Sequence, residues 1–266
     1  MSKIEKNSKI VLENVHKSFG NKHVLQGVDL SVNEGESMVI IGGSGTGKSV
    51  TLKCILGMIT PDQGSINVDG KDITKMNYKQ RHDLMGQFGM LFQGGALFDS
   101  LKVWENIAFG LIHGKKMARE EARQIALNKL LQVGLSVQTG DLYPAEISGG
   151  MQKRVSLARA IATEPDIIFF DEPTTGLDPI MADVINNLIV ECVKDLGATA
   201  VTITHDMASA RKIADQIAMI HEGKIIWNGP VKDLYDSKNG HVEQFIHGRA
   251  EGPITKHSDF AQKASA

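Results

Sequence analysis

The run Gly42-Gly43-Ser44-Gly45-Thr46-Gly47-Lys48-Ser49 constrains this chain more than any other stretch. It fits G-x-x-x-x-G-K-[ST] and lies between a short apolar segment, residues 37–41, and a segment of helical pattern, residues 48–59. Glycines let successive backbone N–H groups turn inward and surround phosphate oxygens, and the following helix adds the positive end of its dipole. Lys48 is then placed to reach the outer phosphates of a nucleotide, and Ser49 to ligate Mg²⁺. At average residue usage such a match arises by chance in a chain this long about once in a hundred. The flanking strand and helix make a plain glycine-rich turn rarer still.

The rest of the chain supplies the sheet that such a loop needs. Residues 10–19 and 24–32 alternate apolar and polar positions, with Asn21-Lys22 as the expected turn between two strands. Residues 64–68 and 71–73 bracket Asp69-Gly70, a hairpin signal. Residues 97–134 are helical in pattern, and 119–133 carry Ala122, Ile125, Ala126, Leu130 and Val133 on one side. Helices are expected at 151–162, 182–196, 207–214 and 231–235. Strands are expected at 167–170, 200–204, 217–221 and 224–227. This alternation predicts an α/β fold: a P-loop NTPase core with a mostly parallel sheet, an N-terminal antiparallel β flank and an inserted helical subdomain. The predicted domain is 1–247, its core 1–92 and 156–247, its helical subdomain about 93–155. Residues 248–266, polar and punctuated by Gly248, Gly252 and Pro253, are expected to form an extended tail.

Composition narrows the partners. With 266 residues and a net charge of −2, the chain has no overall basic field, so nucleic acid is not expected as a partner. Cys54 and Cys192 have no metal-ligand spacing and are expected as buried thiols. The stretch Met-Ser-Lys-Ile-Glu-Lys-Asn at the start lacks the apolar region of a secretory signal, and no apolar run approaches the ~20 residues that span a bilayer. Work at a membrane would need another subunit to do the spanning.

Two further motifs carry chemistry. Ile167-Ile168-Phe169-Phe170-Asp171-Glu172 is an apolar strand ending in two carboxylates, at the edge where such sheets bind ligands. Beside a phosphate loop, Asp171 is placed to hold Mg²⁺ and Glu172 to act as general base on a water. Ile147-Ser148-Gly149-Gly150-Met151-Gln152 opens a helix with a serine and two glycines. It reads as a second anion site of N–H groups, or as a helix cap by Ser148, and both can hold together.

On these residues the chain resembles the ABC ATPase family, the ATP-hydrolysing subunits of membrane transporters, whose LSGGQ motif stands just ahead of the Asp-Glu strand. Ile147 in place of Leu, and Met151 before Gln152, depart from that motif. The resemblance implies that Ser148, Gly149 and Gly150 bind the γ-phosphate of ATP held by the opposite subunit. It implies that Gln93 touches Mg²⁺ and the water, that Asp178 of Gly176-Leu177-Asp178 crosses the dimer interface, and that His205 contacts the γ-phosphate. Phe19 resembles the residue that stacks on adenine, although alone it reads equally as a strand-end aromatic. Val50 stands where many relatives have Thr, which removes a hydroxyl contact to the α-phosphate and leaves the backbone N–H. The implied working unit is a symmetric pair of copies closing on two ATP molecules.

A narrower likeness, to Mla-type phospholipid transport ATPases, rests on three places. These are Leu91-Phe92-Gln93-Gly94-Gly95-Ala96-Leu97-Phe98 with the following Ser100-Leu101-Lys102-Val103-Trp104-Glu105-Asn106, the pair Gly150-Met151, and Val242-Glu243-Gln244-Phe245-Ile246 with Gly248 and Gly252-Pro253. It implies a membrane-embedded permease, an MCE-domain substrate-binding protein and a small STAS-domain regulator. It also implies a peripheral place on the cytoplasmic face of a bacterial inner membrane, and lipid transport that maintains outer-membrane asymmetry. The surface at 93–104 is expected to dock a permease helix, unless Leu97, Phe98 and Leu101 are simply core. The tail, through Ile254 and Phe260, is expected to reach the opposite subunit or else to be a plain terminus. The rival function is an importer of a small polar solute, whose ATPase would look much the same.

Overall fold

The computed structural model describes residues 8–255. Strands β1 (Ser8–Phe19) and β2 (Lys22–Asn33) form an antiparallel hairpin. Its turn is Gly20-Asn21, one residue earlier than the sequence pattern suggests, because Gly20 adopts a left-handed φ of 58°. Strand β3 (Ser37–Ile41) is buried along its whole length and runs through the glycine loop into helix α1 (Lys48–Ile55). Strands β4 (Gln63–Val68) and β5 (Lys71–Asp72) complete a four-stranded sheet in the order β2-β1-β4-β5.

Helix α2 (Tyr78–Met85) and strand β6 (Phe88–Leu91) follow. Sequence pattern missed both: α2 buries only Leu84, and β6 is four residues long with a glycine in it. The expected helical stretch 97–134 holds α3 (Val103–Phe109), a π-helical turn at Gly110–Gly114 that continues it, and α4 (Arg119–Gln132). Its first residues are not helical because the buried Asn106 side chain takes up their backbone groups. It accepts from Phe98 N at 2.7 Å and donates to the carbonyls of Phe98, Leu101 and Lys102, each at 3.1 Å. Next come α5 (Gly149–Ile161), β7 (Ile167–Asp171), α6 (Pro179–Leu196), β8 (Thr199–Thr204), α7 (Met207–Ile213), β9 (Gln216–His221), β10 (Lys224–Pro230) and α8 (Gly240–Ile246).

The second sheet has the order β10-β9-β3-β8-β7-β6. Its strands are parallel except for the β9–β10 hairpin at one edge. Both faces are covered, so its strands are almost continuously apolar. The two-residue period of a strand sends alternate side chains to two separate cores. Val39, Ile41, Ile168 and Phe170 face the helices α3 to α7. Met38, Ile40, Ile167 and Phe169 face α1 and the N-terminal sheet. Cys54 and Cys192 are buried free thiols, each pushed up to about 11 by burial. Among the described residues no helix is long and apolar enough to cross a membrane.

The segment read as an extended tail begins as a compact turn. Residues 249–255 fold back on α8 and are gathered by Gln244, with Ile254 packed on the core; Phe260 lies outside the described residues.

Gly89 in β6 sets the distance between this strand and α5. A Cβ there would lie 2.5 Å from the carbonyl oxygen of Ala160 and 2.9 Å from Pro165 Cγ. Gly89→Val is therefore expected to overpack by about 2–3 kcal/mol. Thermal unfolding should show a midpoint lowered by roughly 5 °C or more. An unchanged midpoint would mean that β6 and α5 can part without cost.

Candidate functional site

Four neighbouring parallel strands end at the same edge of the second sheet. The register pairs Ile41 with Thr204, Asp171 with Ile203, and Phe170 with both Thr202 and Leu91. The next residues in the chain are therefore delivered side by side: Gly42 after β3, His205 after β8, Glu172 after β7 and Gln93 two residues after β6. Gly43, Ser44, Gly45, Lys48, Ser49, Gln93, Glu172 and His205 line one open cleft of about 650 Å³. Its volume is in the range of small-molecule sites.

The loop is held in shape by contacts that only glycine permits. Gly47 has a φ of 113°, and a Cβ there would meet Leu25 Cδ2 at 2.8 Å. Gly42 leaves no room either, since its Cβ would lie 2.4 Å from the carbonyl oxygen of Ile220. The Lys48 ammonium donates to the carbonyls of Gly42 and Gly43 at 2.8 and 3.0 Å. Burial lowers its pKa, and the nearby Glu172 and Asp171 work against that shift. Thr46 closes the turn by donating to Gly43 O at 2.9 Å. Val50 packs against the core formed with the N-terminal sheet.

The two carboxylates sit in different settings. Asp171 is raised in pKa by burial first and by Glu172 second, with Lys53, Lys48 and Lys153 opposing. Its Oδ1 is buried and accepts no hydrogen bond among the described residues. A desolvated carboxylate oxygen with no donor fits a hard divalent cation, and the Ser49 hydroxyl and Gln93 amide oxygen are further donors of that kind. Glu172 is a non-glycine residue at φ 47°, a conformation that costs about 1–2 kcal/mol. Its N–H donates to Ile203 O at 2.9 Å. Its Oε2 lies 2.9 Å from His205 Nδ1 and accepts longer contacts from Thr175 and Thr204 hydroxyls, 3.3 and 3.4 Å. The strained backbone aims the carboxylate across the cleft mouth towards His205.

Sequence reasoning missed the residues that hold Gln93. Lys153, Ser156 and Arg159 lie at i, i+3 and i+6 on one face of α5, and all three donate to carbonyls of the loop after β6. Lys153 reaches Gln93 O, Ser156 reaches Gly95 O at 3.0 Å, and Arg159 reaches Gly95 O and Ala96 O, both at 2.6 Å. Lys153 is only 7% exposed, and burial lowers its pKa against the pull of Asp171 and Glu172. The signal in the sequence was a polar stripe, Lys-x-x-Ser-x-x-Arg, on a helix face that should have been apolar.

The remaining predicted residues lie outside the cleft lining. Ser148 caps α5, its hydroxyl accepting from Met151 N at 3.3 Å, so the cap reading of the motif is realised. Asp178 caps α6 by accepting from Ile180 N and Met181 N, both at 3.0 Å. These two helix starts adjoin, since a Cβ on Gly150 would lie 2.9 Å from Met181 Cε. Phe19 is half exposed at the strand end, with the Lys17 ammonium 5.6 Å from its ring centroid.

Comparison with known proteins gives the family and the fold. Residues 25–175 match the family model described as ABC transporter, and the chain belongs to that family. It is an ATP-binding cassette, with the ATPase activity of that class. It is 38% identical over 245 residues to the intermembrane phospholipid transport system ATP-binding protein MlaF of Haemophilus influenzae, covering 92% of each chain. It is 39% identical over 240 residues to the L-cystine import ATP-binding protein TcyN of Bacillus subtilis, covering 89% of this chain and 92% of that one. The dimeric post-hydrolysis structure of the ATP-binding cassette MJ0796 bound to ADP and Pi superposes with a TM-score of 0.77 at 31% identity. That match spans 84% of this chain and 98% of that one.

Lys48→Ala deletes the buried cation of the loop. ATP affinity measured by titration calorimetry should fall at least tenfold, the scale of a charge-assisted contact of ~1.5–3 kcal/mol. Affinity equal to the parent chain's would remove Lys48 from the phosphate site.

Proposed function

We propose that this chain works as a pair of copies on the cytoplasmic face of a bacterial inner membrane, where ATP binding and hydrolysis energise phospholipid transport through a membrane-embedded permease. Lys48 and the N–H groups of 42–49 take the phosphates. Ser49, Asp171 and Gln93 would hold Mg²⁺, which supplies charge neutralisation on the phosphate oxygens. Glu172 takes the proton of the attacking water, and His205 steadies the carboxylate and the γ-phosphate. The adenine stacks on Phe19, and the Val50 N–H serves where a hydroxyl is missing.

Each copy supplies only part of the site. The Ser148-Gly149-Gly150 turn and Asp178 lie away from their own subunit's cleft, on adjoining helix starts. Their N–H groups complete the partner's site when two copies close face to face, and the dimeric ADP-bound MJ0796 structure supports that arrangement. The γ-phosphate then supplies contacts that exist only in the closed pair. On this reading the double variant Ser148→Arg, Glu172→Gln binds ATP as a monomer but does not dimerise, whereas Glu172→Gln alone accumulates ATP-bound dimers and hydrolyses at under a hundredth of the parent rate, the scale of a lost general base. Size-exclusion chromatography with ATP separates the two; a stable dimer of the double variant contradicts a shared site.

The observation that carries the transport reading is the loop after Gln93. Phe98 is 43% exposed yet fixed, its backbone tied to Asn106 and its ring 4.7 Å from that of Phe109. An exposed, tethered aromatic on the loop that follows a cleft residue is a seat for a permease helix, and the loop couples that seat to the nucleotide. The 38% identity to MlaF across 92% of both chains supports phospholipid as the cargo, with an MCE-domain protein and a STAS-domain regulator as further partners. A second reading, import of a small polar solute, draws on the TcyN likeness. Reconstitution with the permease in proteoliposomes tests both: labelled phospholipid should move on ATP addition. ATP turnover stimulated only by a polar solute and its binding protein would favour the second. Phe98→Glu should stay folded and bind ATP while no longer co-purifying with the permease; retained co-purification would place the seat elsewhere.

A further inference from the structure

The cleft has a wall that the phosphate-loop motifs do not account for. Gln244, Phe245, Gly248, Arg249, Ile254 and Thr255 line it alongside Lys48, Ser49, Gln93, Glu172 and His205. This wall is built around one buried side chain. Gln244 is 5% exposed; its Nε2 donates to Arg249 O at 3.1 Å and to Thr255 Oγ1 at 3.2 Å, and its Oε1 accepts from Ile254 N at 2.8 Å. The Arg249 N–H donates to the Gln244 carbonyl at 3.1 Å, so the turn is tied at both ends. Gly252 is required at its crest, because a Cβ there would lie 2.4 Å from Gln244 Cδ. A buried amide with its donors and acceptor satisfied fixes a segment far more firmly than an exposed loop contact does.

The knot places Arg249 among the residues that line the cleft. The Arg249 side chain is exposed and has no carboxylate partner among the described residues, although both its backbone groups are bonded. A guanidinium without a carboxylate partner, on a residue lining a cleft that takes polyphosphate, is a ready phosphate ligand, with planar forked donors that suit phosphate oxygens. Lys48 approaches the phosphates from the glycine-loop side, whereas Arg249 belongs to a different wall.

We infer that Arg249, held by the Gln244 knot, is a further ligand of the terminal phosphate of ATP, contributed by the same subunit that carries the phosphate loop. The inference rests on the ATP-site reading above and adds a contact after α8. Its consequence is selectivity: a contact made to the γ-phosphate distinguishes ATP from ADP, so the C-terminal segment senses which nucleotide is bound. Gln244 is a positioning residue in this scheme, acting only through Arg249.

The test uses the full chain with Mg²⁺ and compares affinities for AMP-PNP and ADP by calorimetry, at dilutions where sedimentation shows a monomer. Arg249→Ala should lower AMP-PNP affinity roughly tenfold and change ADP affinity less than about twofold, the scale of one charge-assisted phosphate contact. Arg249→Lys should restore part of the loss, and raised salt should shrink it. Gln244→Ala should reproduce the AMP-PNP loss, with the double variant no worse than either single one. If Gln244→Ala fails to fold, Arg249→Ala and Arg249→Lys still decide the matter. Equal AMP-PNP affinity in Arg249→Ala and the parent chain overturns the inference, as does an equal loss for both nucleotides or a loss confined to concentrations where the chain dimerises. Lys48→Ala run in parallel separates the two levels: if it weakens both nucleotides while Arg249→Ala weakens neither, the ATP site stands and the Arg249 contact falls.

Discussion

The parallel pairing of β3, β8, β7 and β6 is the constraint on which the rest depends. In a parallel sheet every strand ends at the same edge, so the in-register pairs Ile41–Thr204 and Asp171–Ile203 align the starts of three functional loops. No loop has to search for its position. That alignment needs both faces of the sheet to be buried, and the alternation of Val39 and Ile41 against Met38 and Ile40 provides one core for each face. A one-residue slip would exchange the two cores and move every loop start by about 3.3 Å, enough to part Glu172 from His205.

A second constraint acts on the loop that the sheet positions least well. Strand β6 is an edge strand, paired only with β7, and is four residues long. Gln93, two residues beyond its end, would be poorly fixed by the ladder alone. The Lys153, Ser156 and Arg159 stripe offsets this by donating to the carbonyls of Gln93, Gly95 and Ala96. Burying Lys153 to 7% exposure disfavours its charged form, and its bond to Gln93 O together with the attraction of Asp171 and Glu172 offsets that cost only in part. The helix that opens with Ser148 is thereby wired to Gln93 within one subunit, and a rotation of α5 must drag the loop with it.

Much of this was legible from residue order. The apolar run of β3, the glycine loop and the apolar run of β7 ending in Asp171 are strong local patterns, and each folds as its pattern implies. Asp178 followed by Pro179 starts the helix three residues ahead of its apolar period, because capping and a first-turn proline, not apolar spacing, set that end. The failures have separate causes. Helix α2 has little apolar period and starts on a local capping box between Asn77 and Gln80, and β6 is too short for a period. Asn106 unwinds a stretch whose own periodicity is helical, a tertiary contact that outweighs local preference. The Gln244 knot was illegible for the same reason: one buried amide defines it, and sequence carries no sign that a glutamine is buried.

Strain and charge at the cleft point in one direction. Glu172 sits at a costly φ, and Asp171 holds a buried oxygen without a donor. Lys48 and Lys153 are desolvated while feeling the charge of both carboxylates. Taken alone each feature destabilises the chain, and together they cost more than a loop of ordinary residues would. A polyphosphate with a divalent cation relieves two of these terms at once: the cation satisfies Asp171, and the phosphates satisfy Lys48. Binding should therefore stiffen the strand edge as a unit. On the proposed shared-site reading, that stiffened edge is the surface against which a second copy's Ser148 turn closes, so the same unpaid electrostatics that weaken the empty subunit would favour the nucleotide-bound pair.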